Sequence, residues 1–169
     1  TRLDESTIAA LEQGARVLML PDGGSRSLRL TDHWFLRGAP WVPNHPLQQR
    51  VPHAWLVDLQ AFDLAGPVMP DFPLLDEVDP ILCIWDTHDH GGVKTHALAF
   101  ETRVGAGRLL VSSLHHGGSN NPSGSWLLQE LAAHLAGGPA PRHALTAPTW
   151  QALKAKLQEQ RLSLADLPW

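Results

Sequence analysis

Apolar positions fall into short blocks whose period changes along the chain, with proline- and glycine-rich stretches between them. In the opening "LDESTIAALEQGARVLML", acidic and small polar residues suit a helix start. Ile8 and Leu11 sit three apart on one face, and Gly14 supplies a stop. The continuous apolar run "RVLML", 16–20, predicts a buried strand of the kind found in parallel sheets covered on both faces. Helix followed by buried strand is half of a βαβ unit. "PDGGS", 21–25, punctuates the strand's C-terminal end, the edge at which open α/β sheets bind ligands. No strand stands ahead of this first helix for a parallel sheet to build on, so the chain reads as a fragment lacking one or more N-terminal strands.

From 31 to 80 the pattern is irregular. "DHWFLRGAPWVPNHPLQQRVPHAW" carries three tryptophans and three histidines among four prolines, which predicts loop with short helical turns, one of them around 55–61. Three strands are predicted next, "ILCIW" (81–85), "THALAFETRV" (95–104) and "GRLLVSSL" (107–114), the last two joined by a tight "GAG" turn into a hairpin. A helix over 122–136 puts Trp126, Leu127, Leu131 and Leu135 on one side and ends at Gly137 and Gly138. "TAPTWQALKAKLQEQ" predicts a last helix opened by Thr146 or Thr149. The Pro-rich joint "GGPAPRHAL" before it divides the chain into an α/β unit, 1–138, and a joint with helix and tail, 139–169, free to dock loosely or to serve a neighbouring domain.

Composition narrows the classes. A chain of 169 residues suits one compact unit, and 43% hydrophobic against 18% charged residues with a net charge of −4 points away from disorder and from a nucleic-acid footprint. No apolar run reaches the roughly 20 residues of a membrane-spanning helix, and the first residues carry no signal-peptide core, so neither membrane nor nucleic acid is an expected partner. The single cysteine, Cys83, rules out an internal disulfide and a multi-cysteine zinc site while leaving the compartment open.

Candidate chemistry sits in a few places. In "WDTHDHGG", 85–92, His88 and His90 lie two apart, and an extended segment would put them on one face with Asp86 or Asp89 nearby, as a metal requires. The spacing departs from the "HxHxDH" signature of metallo-β-lactamase-type hydrolases, and the competing reading is a polar connector. A metal there would need outside ligands such as His96, His115 or His116, and no metal or cofactor is expected. "SLHHGGSNNPSGSW", 113–126, runs from a strand end through a glycine pair into a helix start, a junction that can hold an anion or a sugar hydroxyl with His115, His116, Asn120 and Asn121. Turn and capping chemistry accounts for the same residues. Cys83 inside "ILCIW" reads as a buried thiol with a raised pKa, and Ser112 and Ser113 lack the "GxSxG" turn of an exposed nucleophile. Asp76, Glu77 and Asp79 in "LLDEVDP" read as a solvated loop. Trp34, Trp41 and Trp55 could stack on sugar rings or pin the long loop to the body.

"ALAFETRVGAGRLLVSSLHH" followed by "NPSGSWLLQELAAHLAGG" resembles the closing part of accessory domains in bacterial glycoside hydrolases of the β-galactosidase and β-glucuronidase superfamily (family 2). "NHPLQQRVPHAWLVDLQAFDLAG" is similar to that family's proline- and tryptophan-rich insertion, and "LEQGARVLML" to its helix-to-strand step; the similarity covers about 10–137. The resemblance implies a three-layer α/β fold, flavodoxin-like or class I glutamine-amidotransferase-like, without the amidotransferase cysteine. It also implies that hydrolysis occurs in a separate (β/α)8 barrel, which needs about 250 residues. The expected role is that of a non-catalytic accessory domain whose partners are other domains of a parent glycoside hydrolase and, through the tryptophan-rich loop, carbohydrate. The alternatives are a carbohydrate-binding module using Trp34, Trp41 and Trp55, and a metal-dependent hydrolase using His88 and His90.

Overall fold

The computed structural model describes residues 3–21, 30–32, 40–57, 64–65, 68–70, 75–86, 94–117 and 121–155. Helix α1 (Glu5–Glu12) starts where Asp4, in extended conformation, accepts a hydrogen bond from the Thr7 amide at 2.8 Å. Gly14 then takes a φ of 107°, a left-handed value that frees the chain to turn into β1 (Arg16–Met19). The other elements are β2 (Leu30–Asp32), β3 (Pro40–Trp41), α2 (His53–Val57), β4 (Val68–Pro70), β5 (Asp79–Asp86), β6 (Lys94–Val104), β7 (Gly107–Ser112) and α3 (Pro122–Gly137). A last helix, α4, opens at 147 and is described through 155. Of the helical turn expected around 55–61, residues 55–57 belong to α2, which starts two residues earlier, and 58–61 lie outside the described residues.

Among the described residues, five strands form one mixed sheet in the order β1-β7-β6-β5-β3, and β2 pairs with β4 in a separate antiparallel ribbon. Of these five strands, β1 and β7 run parallel, and β7, β6, β5 and β3 are joined antiparallel. The expectation for β1 is corrected in one respect. It is the outermost strand of the described sheet, with Arg16 exposed, Val17 and Leu18 half-buried and only Met19 fully buried. Its hydrophobicity marks a parallel neighbour without marking burial on every side.

The β6–β7 hairpin turns at Gly105, whose φ of 58° is the left-handed value a two-residue hairpin turn demands. Between β5 and β6 the register slips on either side of Leu82, next to Pro80, which has no N–H to give the ladder. The slip turns the adjacent Ile81 and Leu82 toward one hydrophobic cluster, and Leu98 and Ala99 on β6 do the same.

Along β7 the side chains divide between two cores. Leu110 packs with Leu127, Leu131 and Leu135 of α3 and with Leu47, Val51 and Leu56 of the 40–57 segment, while Leu109 and Val111 pack with Leu11 of α1 and with Leu145 and Trp150. Helices therefore cover both faces of the sheet, which makes the fold mixed α/β.

The Pro-rich joint and α4 dock on the α1 side. Opposite Glu101 strand β5 begins, so the next residue but one of β6, Arg103, has an open backbone edge; it donates to His143 O at 3.1 Å and accepts from Leu145 N at 2.9 Å. Thr146 and Thr149 bond Glu77 at the start of α4, and Trp150 Nε1 donates to Glu12 at 2.8 Å. The joint thus fixes α4 to the sheet, where the sequence left room for loose docking. The solvated-loop expectation for "LLDEVDP" is corrected at Asp79, while Asp76 is exposed. Asp79 is buried and receives the Arg142 and His143 amides, Arg142 Nε at 3.1 Å and His143 Nδ1 at 2.7 Å. Burial would raise the Asp79 pKa; the bonds from His143 and Arg142 outweigh it and hold the carboxyl below its usual value.

Candidate functional site

Two polar clusters lie on the α3 side of the sheet, at opposite ends of the helix. The first stands where the parallel strand β7 ends and α3 begins. Ser112 points to the same side as Leu110, and its hydroxyl lies 2.8 Å from His116 Nε2. His116 Nδ1 lies 3.1 Å from Gly124 O on the first turn of α3. A carbonyl oxygen only accepts, so Nδ1 carries the hydrogen, Nε2 accepts, and Ser112 donates. Burial holds the His116 pKa down, the Gly124 bond works against that, and His115 next to it pushes the same way as burial; the ring is neutral at pH 7.

This polarity matches a serine with its general base. Ser112 and His116 are nonetheless buried, and their bonds tie the loop after β7 to the start of α3. Asn121 completes the junction, its Oδ1 accepting from Gly124 N at 2.7 Å and its Nδ2 donating to His115 O at 2.9 Å. Of the residues expected to hold an anion or sugar hydroxyl here, His116 and Asn121 spend their polar atoms on the fold. His115 is exposed, with its amide donating to Leu64 O at 2.8 Å. Asn120 lies outside the described residues.

The second cluster stands at the other end of α3 and was not singled out from the sequence. Glu101 on β6, 1% exposed, receives Arg108 Nε at 2.9 Å and a terminal Arg108 nitrogen at 2.5 Å on Oε2. Its Oε1 faces His134 Nε2 and His45 Nε2, each at 3.1 Å. Burial would raise the Glu101 pKa, but the histidine and arginine contacts outweigh it and hold the carboxyl at about 2. Arg108 also donates to Gly138 O at 3.2 Å, and Arg16 to Leu135 O at 3.3 Å, so two cations meet the carbonyl end of α3. The available signal was positional. His134 follows Leu127 and Leu131 on the apolar stripe of α3, and Glu101 and Arg108 are inward positions flanking the hairpin turn.

His45, Glu101 and His134 offer ligand atoms within 4.8 Å of one another, a set suited to a transition metal. The donor chemistry does not fit one. His45 Nδ1 accepts from Leu47 N at 3.1 Å, which puts the ring hydrogen on Nε2, the nitrogen that would have to bind the ion. Arg108 supplies the positive charge already, 2.8 Å from His134 Nε2. The geometry is that of a buried carboxylate neutralised by a guanidinium, with His45 closing the 40–57 segment over it. The His45 N–H points off the line to Oε1 and has no other acceptor among the described residues.

The tryptophans separate. Trp34 lies outside the described residues, as do His88 and His90. Trp41 is half-buried opposite Cys83 and packs into the core on the α1 side, its Nε1 enclosed with no acceptor among the described residues. Trp55 is 57% exposed on the other side of the sheet and stacks against Trp126 of α3 with ring centroids 5.1 Å apart. The three rings named from the sequence therefore do not form one shelf through Trp41 and Trp55. Trp85, absent from that set, is 50% exposed. Cys83 is buried, and loss of hydration pushes its thiol up to about 12, in keeping with a packing role. No helix among the described residues is long and apolar enough to cross a membrane.

No curated protein matches the chain. A family model described as a domain of unknown function (DUF8487) matches residues 1–154, nearly its whole length, and the chain is therefore a member of the DUF8487 family.

Proposed function

We propose that this α/β domain is a non-catalytic accessory domain of a larger bacterial glycoside hydrolase, descended from a flavodoxin-like or amidotransferase-like sheet and held against other domains of its parent. One observation carries the reading. Glu101, Arg108, Ser112 and His116 spend their polar atoms on bonds that close the fold, whereas two large apolar rings, Trp55 and Trp85, face outward at 57% and 50% exposure. Exposed aromatic surface on a firm scaffold is what a contact with another domain or a saccharide uses. The glycine-turned β6–β7 hairpin, the polar loop and α3 occur in the order that the resemblance to the glycoside hydrolase domains requires, which supports the same reading.

The test is the reading frame that encodes the segment. A (β/α)8 barrel with paired catalytic glutamates in the same frame is the expected finding. A frame without such a barrel overturns the proposal, as does turnover of a nitrophenyl glycoside by these 169 residues alone.

A further inference from the structure

We infer that the outward surface shared by α2 and α3 is a subsite for one neutral pyranose unit, built from Trp55, Trp126, Arg50 and Glu130. The inference deepens the accessory-domain reading by naming where a saccharide would touch the domain. Trp126 and Glu130 lie four apart on α3 and so share one face of the helix. Trp126 is seated against the hydrophobic core, which fixes its ring. Trp55 leans on it from α2 at an interplanar angle of 52°, with Trp55 57% exposed and Trp126 half-buried. Arg50, three residues ahead of α2, bonds Glu130 through Nε and Oε2 at 2.7 Å, with the arginine side chain 48% exposed. The second carboxylate oxygen and the terminal guanidinium nitrogens are not spent on that bond.

This combination matches the two chemistries of a pyranose. Its axial C–H face is apolar and stacks on an indole, and its rim of hydroxyls needs paired acceptors and donors held in a fixed plane. A carboxylate and a guanidinium already bonded to each other are pre-ordered, so a sugar would order few further side-chain torsions on binding. Their charges cancel, which favours a neutral sugar over an anion. The sequence alone grouped Trp55 with Trp34 and Trp41; the fold supplies different companions from α3 and from Arg50, three residues ahead of α2.

The experiment is titration of the full chain with β-linked gluco-, galacto- and xylo-oligosaccharides, read by tryptophan fluorescence. A saturable change in the millimolar range with at least one series is expected, weakened about tenfold or more by Trp55→Ala and by Glu130→Gln and unchanged by Asp76→Asn, an exposed position outside that surface. Trp55 is exposed and Glu130 half-buried, and matching melting curves confirm that each variant is folded. Absence of any saturable change overturns the subsite, and so does a change that survives Trp55→Ala or disappears with Asp76→Asn. Neither result bears on the reading frame, so failure of the subsite is distinguishable from failure of the accessory-domain reading.

Discussion

Glu101 shows how a single buried charge becomes part of a fold. Its carboxylate is offset by Arg108 at 2.5 Å, and removing one member of such a pair leaves the other charged and dry. Glu101→Gln keeps the volume and removes the charge, and it is expected to lower stability at pH 7 by about 3 kcal/mol, measured by urea unfolding. The pH dependence has a definite sign. The folded pKa of about 2 lies below the ordinary 4.5, so the contribution is fully present above pH 4.5 and is lost as pH falls toward 2. The gap between wild type and Glu101→Gln should therefore close over that interval; a gap that widens toward pH 2 contradicts the assignment. His116, its pKa depressed by burial, adds a loss of the same sign that begins as pH falls below 6.5.

At the scale of elements, two glycines differ in what surrounds them. A methyl group on Gly107 would collide with the carbonyl oxygens of Leu11 and Ala15, because the hairpin runs directly beneath the end of α1. Gly107→Ala is expected to cost about 2–3 kcal/mol, since those oxygens belong to main chain and yield little. Gly137, in the last turn of α3, has open space around the same position, and Gly137→Ala should raise stability by about 0.5–1 kcal/mol through helix propensity alone. Thermal melts of the two variants measure both signs in one experiment. Elements of this kind were largely legible in the sequence. The apolar stripe of α3, the hairpin around Gly105 and the helix stop at Gly14 are local, and each is set by residues within a few positions of one another. The register slip around Leu82 was not legible, because it depends on how two strands meet.

Across the whole molecule, the α1-side core is closed by the C-terminal joint. Trp150 is buried there and donates its indole hydrogen to Glu12, 138 residues away. Trp150→Ala should cost about 3 kcal/mol, in line with large-to-small changes in cores, whereas Trp55→Ala should change stability by less than about 0.5 kcal/mol. Denaturant midpoints distinguish them, and equal losses would contradict the burial pattern.

The candidate sites divide the same way. The loop at His115 and His116 and the ring of Trp55 were visible as chemistry, but the partners that give them meaning come from distant parts of the chain. His116 meets Gly124 and Ser112, Trp55 meets Trp126, and Glu101 gathers His45, Arg108 and His134 from a loop, a strand and a helix. By itself the sequence determined the α/β class, the hairpin and the principal helices, because periodicity and turn chemistry act over a few neighbouring residues. Only tertiary structure decided that β1 is an outer strand of the described sheet, that Trp41 turns inward while Trp55 turns out, and that a buried carboxylate joins four segments. Each of those outcomes depends on which surfaces close over one another, and no local pattern carries that information.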